Sequence, residues 1–378
     1  MNLSDLKQNL ILAIDTSCDE TSVAVVKGNK VISNLLPSQI DLHKQYGGVV
    51  PSIAKLAHQE RIDSVVTEAL KRAKVQPDSL DAIAVTQGPG LAIALEIGIK
   101  KAKELAEKYN KPLIAVNHME GHLLSGLAQR NPKFEIRNSK SLRIPALGVL
   151  VSGGHTELVL VEQVGIYKKI GETLDDSCGE CFDKCGRLLG LGYPAGPVIS
   201  KFAKEHRKNI SLEIIHKNTS TLVKGVNTKT KKEYLLPIAM ANSGDLNFSY
   251  SGLKTAFRDL VSKLGTENIN SEVTKDICVV FEQAALMQII FKLKTAIKKY
   301  QPKEILLGGG VIASARLRSL VREIAKENNI EVRSPFSNKL TGDNAAMIGV
   351  TANFQINQNR GVFTKDFESI DRQPNLTF

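Results

Sequence analysis

One pattern occurs twice in this chain and restricts its fold more than any other feature: an apolar strand, a short polar or glycine turn, and a second β-branched strand. The first copy is LILAIDTSCDETSVAVV at residues 10–26, and the second is PALGVLVSGGHTELVLVEQ at 145–163. Each reads as a hairpin. After the first, VISNLLPSQ reads as a third strand. GGVVPSIAKLAHQERIDSVVTEALKRAKV has apolar residues at helical spacing, LDAIAVTQGPG is a buried strand ending in a glycine turn, and helix, strand and helix follow through NHMEGHLLSGLAQR. Strand alternating with helix predicts an α/β layer.

A polar linker, RNPKFEIRNSKSLR, separates the copies. Beyond the second hairpin come a cysteine-bearing helix, a basic segment and a turn, SGDLNFSYSGLKTAF. A long helix around VVFEQAALMQIIFKLKTAIKKY, the strand EILLGGGV and a helix after TGDNAAMIG complete the chain. Two hairpin-led halves, with glycine turns after their strands, suggest a two-lobed clamp closing on a phosphorylated ligand. The lobes are expected at 1–140 and 141–378, with the chain end packing back on the first. Residues 206–235 are expected as an added, basic and exposed β-hairpin.

With 378 residues the chain is long enough for two domains. No apolar run approaches 18 residues, so nothing is expected to span a membrane. The N-terminus lacks a leader pattern, and five cysteines without an even framework suit a reducing compartment; the expected location is cytoplasmic. A net charge of +11 favours polyanionic partners, nucleic acid among them.

Three local features bear on chemistry. His118 and His122 lie at i and i+4, so a helix would present both imidazoles on one face to a cation. A pair needs a third ligand; Asp343, after Gly342 and before a helix, is either that ligand or the helix cap. The glutamate between the histidines, Glu120, is out of place for the H-E-x-x-H protease arrangement. Glycine turns at Leu150-Val151-Ser152-Gly153-Gly154 and Gly308-Gly309-Gly310 follow strands and let backbone approach a phosphate or purine. Finally, Cys178, Cys181 and Cys185 fall within roughly a 60° arc of one helical face, a geometry that fits a metal cluster and a buried stripe equally.

ILAIDTSCDETSVAVV, YGGVVPSIA, VTQGPGL, NHMEGH, LVSGGHTEL, LDDSCGECFDKCGRLLGLGYPAGP, FSYSGLKTAF and TGDNAAMIG, in this order from Leu10 to about Gly349, resemble the tRNA threonylcarbamoyladenosine transferase family, TsaD, once named an O-sialoglycoprotein endopeptidase. The resemblance implies a two-domain actin-like fold of the Hsp70 and sugar-kinase type. It implies transfer of threonylcarbamoyl from threonylcarbamoyl-AMP to N6 of adenosine 37 in tRNAs reading codons that begin with A. By the same resemblance, His118, His122 and Asp343 would hold one Fe(II) or Zn(II) per chain, with no catalytic residue beyond that site. Leu150, Val151, Ser152, Gly153, Gly154, Asp183, Gly196 and Ser314 would bind the adenylate. Implied partners are the tRNA anticodon arm, an actin-like paralogous subunit (TsaB) and a P-loop ATPase (TsaE).

The chain departs from the family at Ser314, where the pattern GGVSAN has asparagine, and in the length of its basic insert. The family commonly has alanine-sized residues at the cysteine positions, which favours packing over a cluster there. A kinase on the same fold would leave the histidine pair unexplained, and the family's non-catalytic actin-like subunit lacks both the pair and the acid.

Overall fold

The computed structural model describes residues 5–130, 141–360, 363–364 and 367–378; most of the polar linker lies outside them. The first lobe comprises β1 (Leu10–Asp15), β2 (Ser22–Lys27), β3 (Lys30–Leu35), α1 (Ile40–His43), α2 (Pro51–Ala73), β4 (Ala82–Gly88), α3 (Ala92–Lys108), β5 (Leu113–Asn117), α4 (His118–Leu124) and β6 (Gln129–Arg130). The second begins with β7 (Ala146–Val151), β8 (Thr156–Gln163), β9 (Ile166–Glu172), α5 (Cys178–Leu188) and α6 (Gly196–His206). It continues through β10 (Ile210–Lys217), β11 (Ser220–Asn227), β12 (Glu233–Pro237), α7 (Ser251–Leu264), α8 (Ser271–Tyr300), β13 (Glu304–Gly308), α9 (Ala315–Glu327) and β14 (Glu331–Arg333). Helix α10 (Ala345–Asn357) and β15 (Phe363–Thr364) follow.

The repeat seen in sequence is a repeat of topology. One sheet runs β3-β2-β1-β4-β5 with β6 and β15 at its edges, and the other runs β9-β8-β7-β13-β14. In each, the hairpin strands are antiparallel, and the later strands join the first in parallel. The end of the chain belongs with the first lobe: β15 pairs with Leu113 and Ile114 of β5, and Ile370 is buried in the core beneath α2 and α3.

Both sheets are buried on two faces, which is why their strands read as almost unbroken apolar runs. Leu12, Ile14, Val23 and Val25 face α2 and α3. The opposite face of that sheet, with Ile11, Ala13, Ala24 and Val26, shares one core with Leu150, Val159 and Leu306 of the second sheet and with Met119, Leu123, Met347 and Ile348. Helices α4 and α10 therefore form a layer between the sheets. Small residues allow that proximity: a Cβ on Gly148 would stand 2.3 Å from Leu123 Cδ1, and one on Gly349 would stand 2.8 Å from Val26 Cγ2.

Two expectations change. The insert is a three-stranded antiparallel sheet, β10-β11-β12, and only its outer side is exposed. Alternation along β11 buries Thr221, Val223, Gly225 and Asn227, and Gly225 lies so close to Val280 of α8 that a Cβ would meet Cγ2 at 2.3 Å. Also, the end of SGDLNFSYSGLKTAF is helix α7, not turn. The Asp175 carboxylate accepts from Tyr250 N (2.7 Å) and Ser251 N (3.2 Å) at its start, a cap supplied from 75 positions away.

At Gly308 a Cβ would stand 2.2 Å from the His122 carbonyl oxygen. Backbone cannot yield there as a flexible side chain would. Gly308→Ala is expected to destabilise the protein by about 1–3 kcal/mol, the usual cost of overpacking, read as a lower urea midpoint with an unchanged slope.

Candidate metal centre and adjoining cleft

Strand β5 ends in Asn117, and the chain turns directly into α4. Asn117 Oδ1 accepts from Met119 N (2.8 Å) and Glu120 N (3.2 Å), and its Nδ2 donates to Thr377 O (2.9 Å). A helix of seven residues is not stable by propensity alone, so this cap and the packing of Met119, Leu123 and Leu124 define it. His118 and His122 are presented one turn apart, both buried.

Asp343 reaches them from the start of α10. Asn344 takes the capping role, accepting from Met347 N at 3.1 Å, which frees the neighbouring carboxylate. Asp343 Oδ1 lies 3.3 Å from His118 Nε2 and 3.1 Å from His122 Nε2. The three donor atoms fall within 4.8 Å of one another, and no other such group of His, Cys, Asp or Glu occurs among the described residues.

Burial alone would strip the proton from His118, but the Asp343 and Asp15 carboxylates outweigh it and lift the imidazole to about 10. His122 is lowered by burial, helped by the adjacent His118 charge. Burial would raise Asp343, yet the His118 charge holds it well below the carboxylate range. A proton on His118 thus stands in for the charge of a cation.

The residues fit a divalent metal. Two imidazoles and one carboxylate suit a first-row ion with open positions. His118 Nδ1 and His122 Nδ1 are buried without hydrogen-bond partners, and so is Asp15 Oδ2, 3.7 Å from His118 Nδ1. A ligating imidazole ordinarily donates its second N–H to a carboxylate. Asp15 is placed for this, its Oδ1 held by Thr86 Oγ1 (2.8 Å) and Ser17 N (3.2 Å). The strand-end acid of IDTS was legible as part of a polar hairpin tip, but not its facing of His118.

Glu120 points elsewhere. It accepts from Tyr167 Oη (2.8 Å) and Gln355 Nε2 (3.3 Å) and is ion-paired with Arg360, so it cannot act as a base beside the histidines.

The second glycine turn is fixed by α5. Ser177 Oγ donates to Gly153 O (2.6 Å) and accepts from Glu180 N (3.1 Å), Thr156 Oγ1 accepts from Cys178 N (2.9 Å), and Gly179 N donates to Ser152 O (3.2 Å). The orphan N–H groups of a helix start are thereby spent on the turn. Ser152 Oγ accepts from Gly154 N and His155 N within it. Open space lies where Cβ atoms of Gly153 and Gly154 would be. His155, missed in sequence although it sits in the same motif, is pushed down to about 4 by burial and the His118 and His122 charges.

Beside the turn is a cavity of about 670 Å³, lined among others by Gly153, Phe182, Asp183, Gly196, Val311 and Ser314. Asp183 Oδ1 accepts from Ala195 N (2.8 Å) and Gly196 N (3.3 Å), bracing the start of α6. Ser314 Oγ caps α9, accepting from Leu317 N at 3.3 Å. Leu150 and Val151 do not line the cavity; they are core residues on opposite faces of β7. Its basic side, Lys201, Lys204, Arg207 and Arg316, was not foreseen from sequence. The cysteines are fully buried in the core beside the cavity, Cys181 and Cys185 Sγ being 4.0 Å apart, and burial pushes Cys178 up to about 12.

Residues 30–350 match the sequence model of the TsaD family, described as tRNA N6-adenosine threonylcarbamoyltransferase. The chain belongs to this family. It is 42% identical over 352 residues to the tRNA N6-adenosine threonylcarbamoyltransferase of Lactococcus lactis subsp. cremoris strain SK11, covering 92% of each. It is 37% identical over 382 residues to that of Bacillus subtilis strain 168, covering 98% of this chain and 100% of the relative. It is thus a transferase that modifies adenosine in tRNA. Full-length HypF, in a phosphate- and nucleotide-bound form, superposes with a TM-score of 0.54 at 13% identity, over 94% of this chain and 56% of HypF. That likeness bears on the fold, which is of the two-lobed actin-like class. No helix among the described residues is long and apolar enough to cross a membrane.

Because His118 holds a proton up to about pH 10, metal binding at pH 7.5 must expel it. Calorimetry of Zn(II) binding in buffers of different ionisation enthalpy is expected to show about one proton released per ion, with affinity rising with pH. Asp15→Asn should weaken metal binding by about 10–100-fold, measured by competition with a chromophoric chelator.

Proposed function

We propose that the chain transfers threonylcarbamoyl from threonylcarbamoyl-AMP to N6 of adenosine 37 in tRNAs reading codons that begin with A. One observation carries the reading: the histidine–aspartate triad abuts a cavity of nucleotide size. Gly310 lines that cavity, and a Cβ on it would stand 3.8 Å from Cα of Gly342, the residue before Asp343. In the reaction N6 attacks the carbamoyl carbon, the bond from that carbon to a phosphate oxygen breaks, AMP departs with the electron pair, and N6 loses a proton.

The protein's own contribution is positioning and exclusion of water. The open faces of Gly153 and Gly154 let a phosphate approach backbone, the apolar sides of Phe182 and Val311 suit a purine, and Asp183 offers its second oxygen to ribose hydroxyls. His118, His122 and Asp343 would hold one Fe(II) or Zn(II), supplying Lewis acidity to a carbamoyl or phosphate oxygen. Ser314 can still donate its hydroxyl proton while its oxygen caps α9.

Partners in this reading are the tRNA anticodon arm, an actin-like paralogous subunit and a P-loop ATPase, in the cytoplasm. Exposed Leu42, Tyr46 and Leu56 on the first lobe support a protein partner.

The protein, incubated with tRNA, threonine, bicarbonate, ATP and the adenylate-making and accessory proteins, is expected to yield threonylcarbamoyladenosine in digested tRNA. Equal product without this chain would refute the assignment. His118→Ala should lose both product and bound metal while keeping the circular dichroism of the parent; full activity in metal-stripped protein would refute the metal's role.

A further inference from the structure

The insert raises a question that the transfer reaction leaves open. Its lysines are not scattered over a solvated face: Lys229, Lys231 and Lys232 sit together on the exposed turn between β11 and β12. That turn is braced from several sides. Asn227 Oδ1 accepts from Lys229 N (2.9 Å) and Thr230 N (3.0 Å), Asn227 N donates to Lys232 O (2.9 Å), and Thr228 N donates to Asn209 O (2.9 Å). Asn227 Nδ2 in turn donates to both oxygens of buried Asp276 (3.0 and 2.9 Å), a carboxylate that also accepts from Tyr234 Oη at 3.0 Å and faces His206 at 2.8 Å.

The anchoring ties the turn to the cavity wall. Asn209 is two residues beyond Arg207, which lines the cavity with Lys201 and Lys204, and exposed Lys208 lies between them. Arg207 is committed to Glu282 (2.5 Å). Lys201, Lys204, Lys208, Lys229, Lys231 and Lys232 make no ion pair among the described residues. The carboxylates nearby are few: Glu205 on α6, Glu233 paired to Lys224 (2.9 Å), and Glu272 against Lys275 (3.4 Å) and His206 (3.7 Å).

We infer that this braced turn, with Lys208 and the α6 lysines, is a binding surface for the phosphate backbone of tRNA as its reacting base enters the cleft. The inference rests on the transferase reading above. Unpaired lysines on a held turn are poised to displace counterions from a polyanion, at less entropic cost than lysines on a loose loop. No aromatic side chain lies on the turn, so the surface reads phosphates and not bases.

The test is tRNA binding by the full chain between 50 and 200 mM salt, with Lys208, Lys229, Lys231 and Lys232 all changed to Gln. Each lost phosphate contact lowers the salt slope by about 0.7–0.9. A slope shallower by about 2–3 and an affinity about tenfold weaker at low salt are expected, with tRNA KM raised and kcat unchanged. The same four positions changed to Arg should bind like the parent. Unchanged affinity and slope in the Gln variant would overturn the surface, leaving the transferase reading intact if product still forms. A parent that makes no product, yet whose tRNA binding weakens in the Gln variant, would overturn the reading and keep the surface.

Discussion

Everything near the site depends on one constraint: two short helices are held between two sheets, with no solvent on either side. In α10 every residue from Ala345 to Gln355 is buried, and the polar ones are matched from outside the helix. Asn353 accepts from Asn9, Gln355 donates to Glu120, and Ser22 Oγ accepts from Ala345 N at 2.8 Å. Gly121 brings α4 within reach of Ile348, where a Cβ would stand 3.0 Å from Cδ1. The metal triad follows from this contact. His122 and Asp343, 221 positions apart, meet because their helices share a layer.

Burial also explains the charges. An imidazolium and a carboxylate removed from water are costly unless paired closely, and the triad pairs them at hydrogen-bond distance with Asp15 behind. The same layer separates Glu120 from the site: its partners Tyr167, Gln355 and Arg360 lie on the far side of α4. A short helix thus directs two imidazoles to the cleft and one carboxylate into a structural ion pair, using the 100° step between residues.

Much of this was legible. The duplicated hairpin foretold two sheets of matching order, because unbroken apolar strands require cover on both faces, and the i, i+4 histidines foretold a shared face. What was not legible came from distant partners. Asp175 caps α7 from another loop, Asp15 approaches His118 from the first strand, and Thr156 supplies an acceptor to α5; no local window contains such pairs. Asp343 shows the limit most clearly, since a glycine, an acid and an asparagine before a helix do not say which of the last two is the cap. Asn344 is, and the acid is left for the histidines.

Ser314 is a parallel case. Asparagine and serine cap helices about equally well, so the serine here retains the structural duty of the family's residue, accepting from Leu317 N. What changes is the surplus. An amide that caps through its oxygen still has two N–H donors to direct into the cavity, whereas the serine hydroxyl has one proton on a shorter arm. The cavity wall at this point is therefore roomier and poorer in donors. The purine end of a ligand depends more on its apolar contacts with Phe182 and Val311, and on Arg316, whose Nε and Nη2 donate to Gln283 Oε1 at 3.3 and 3.2 Å.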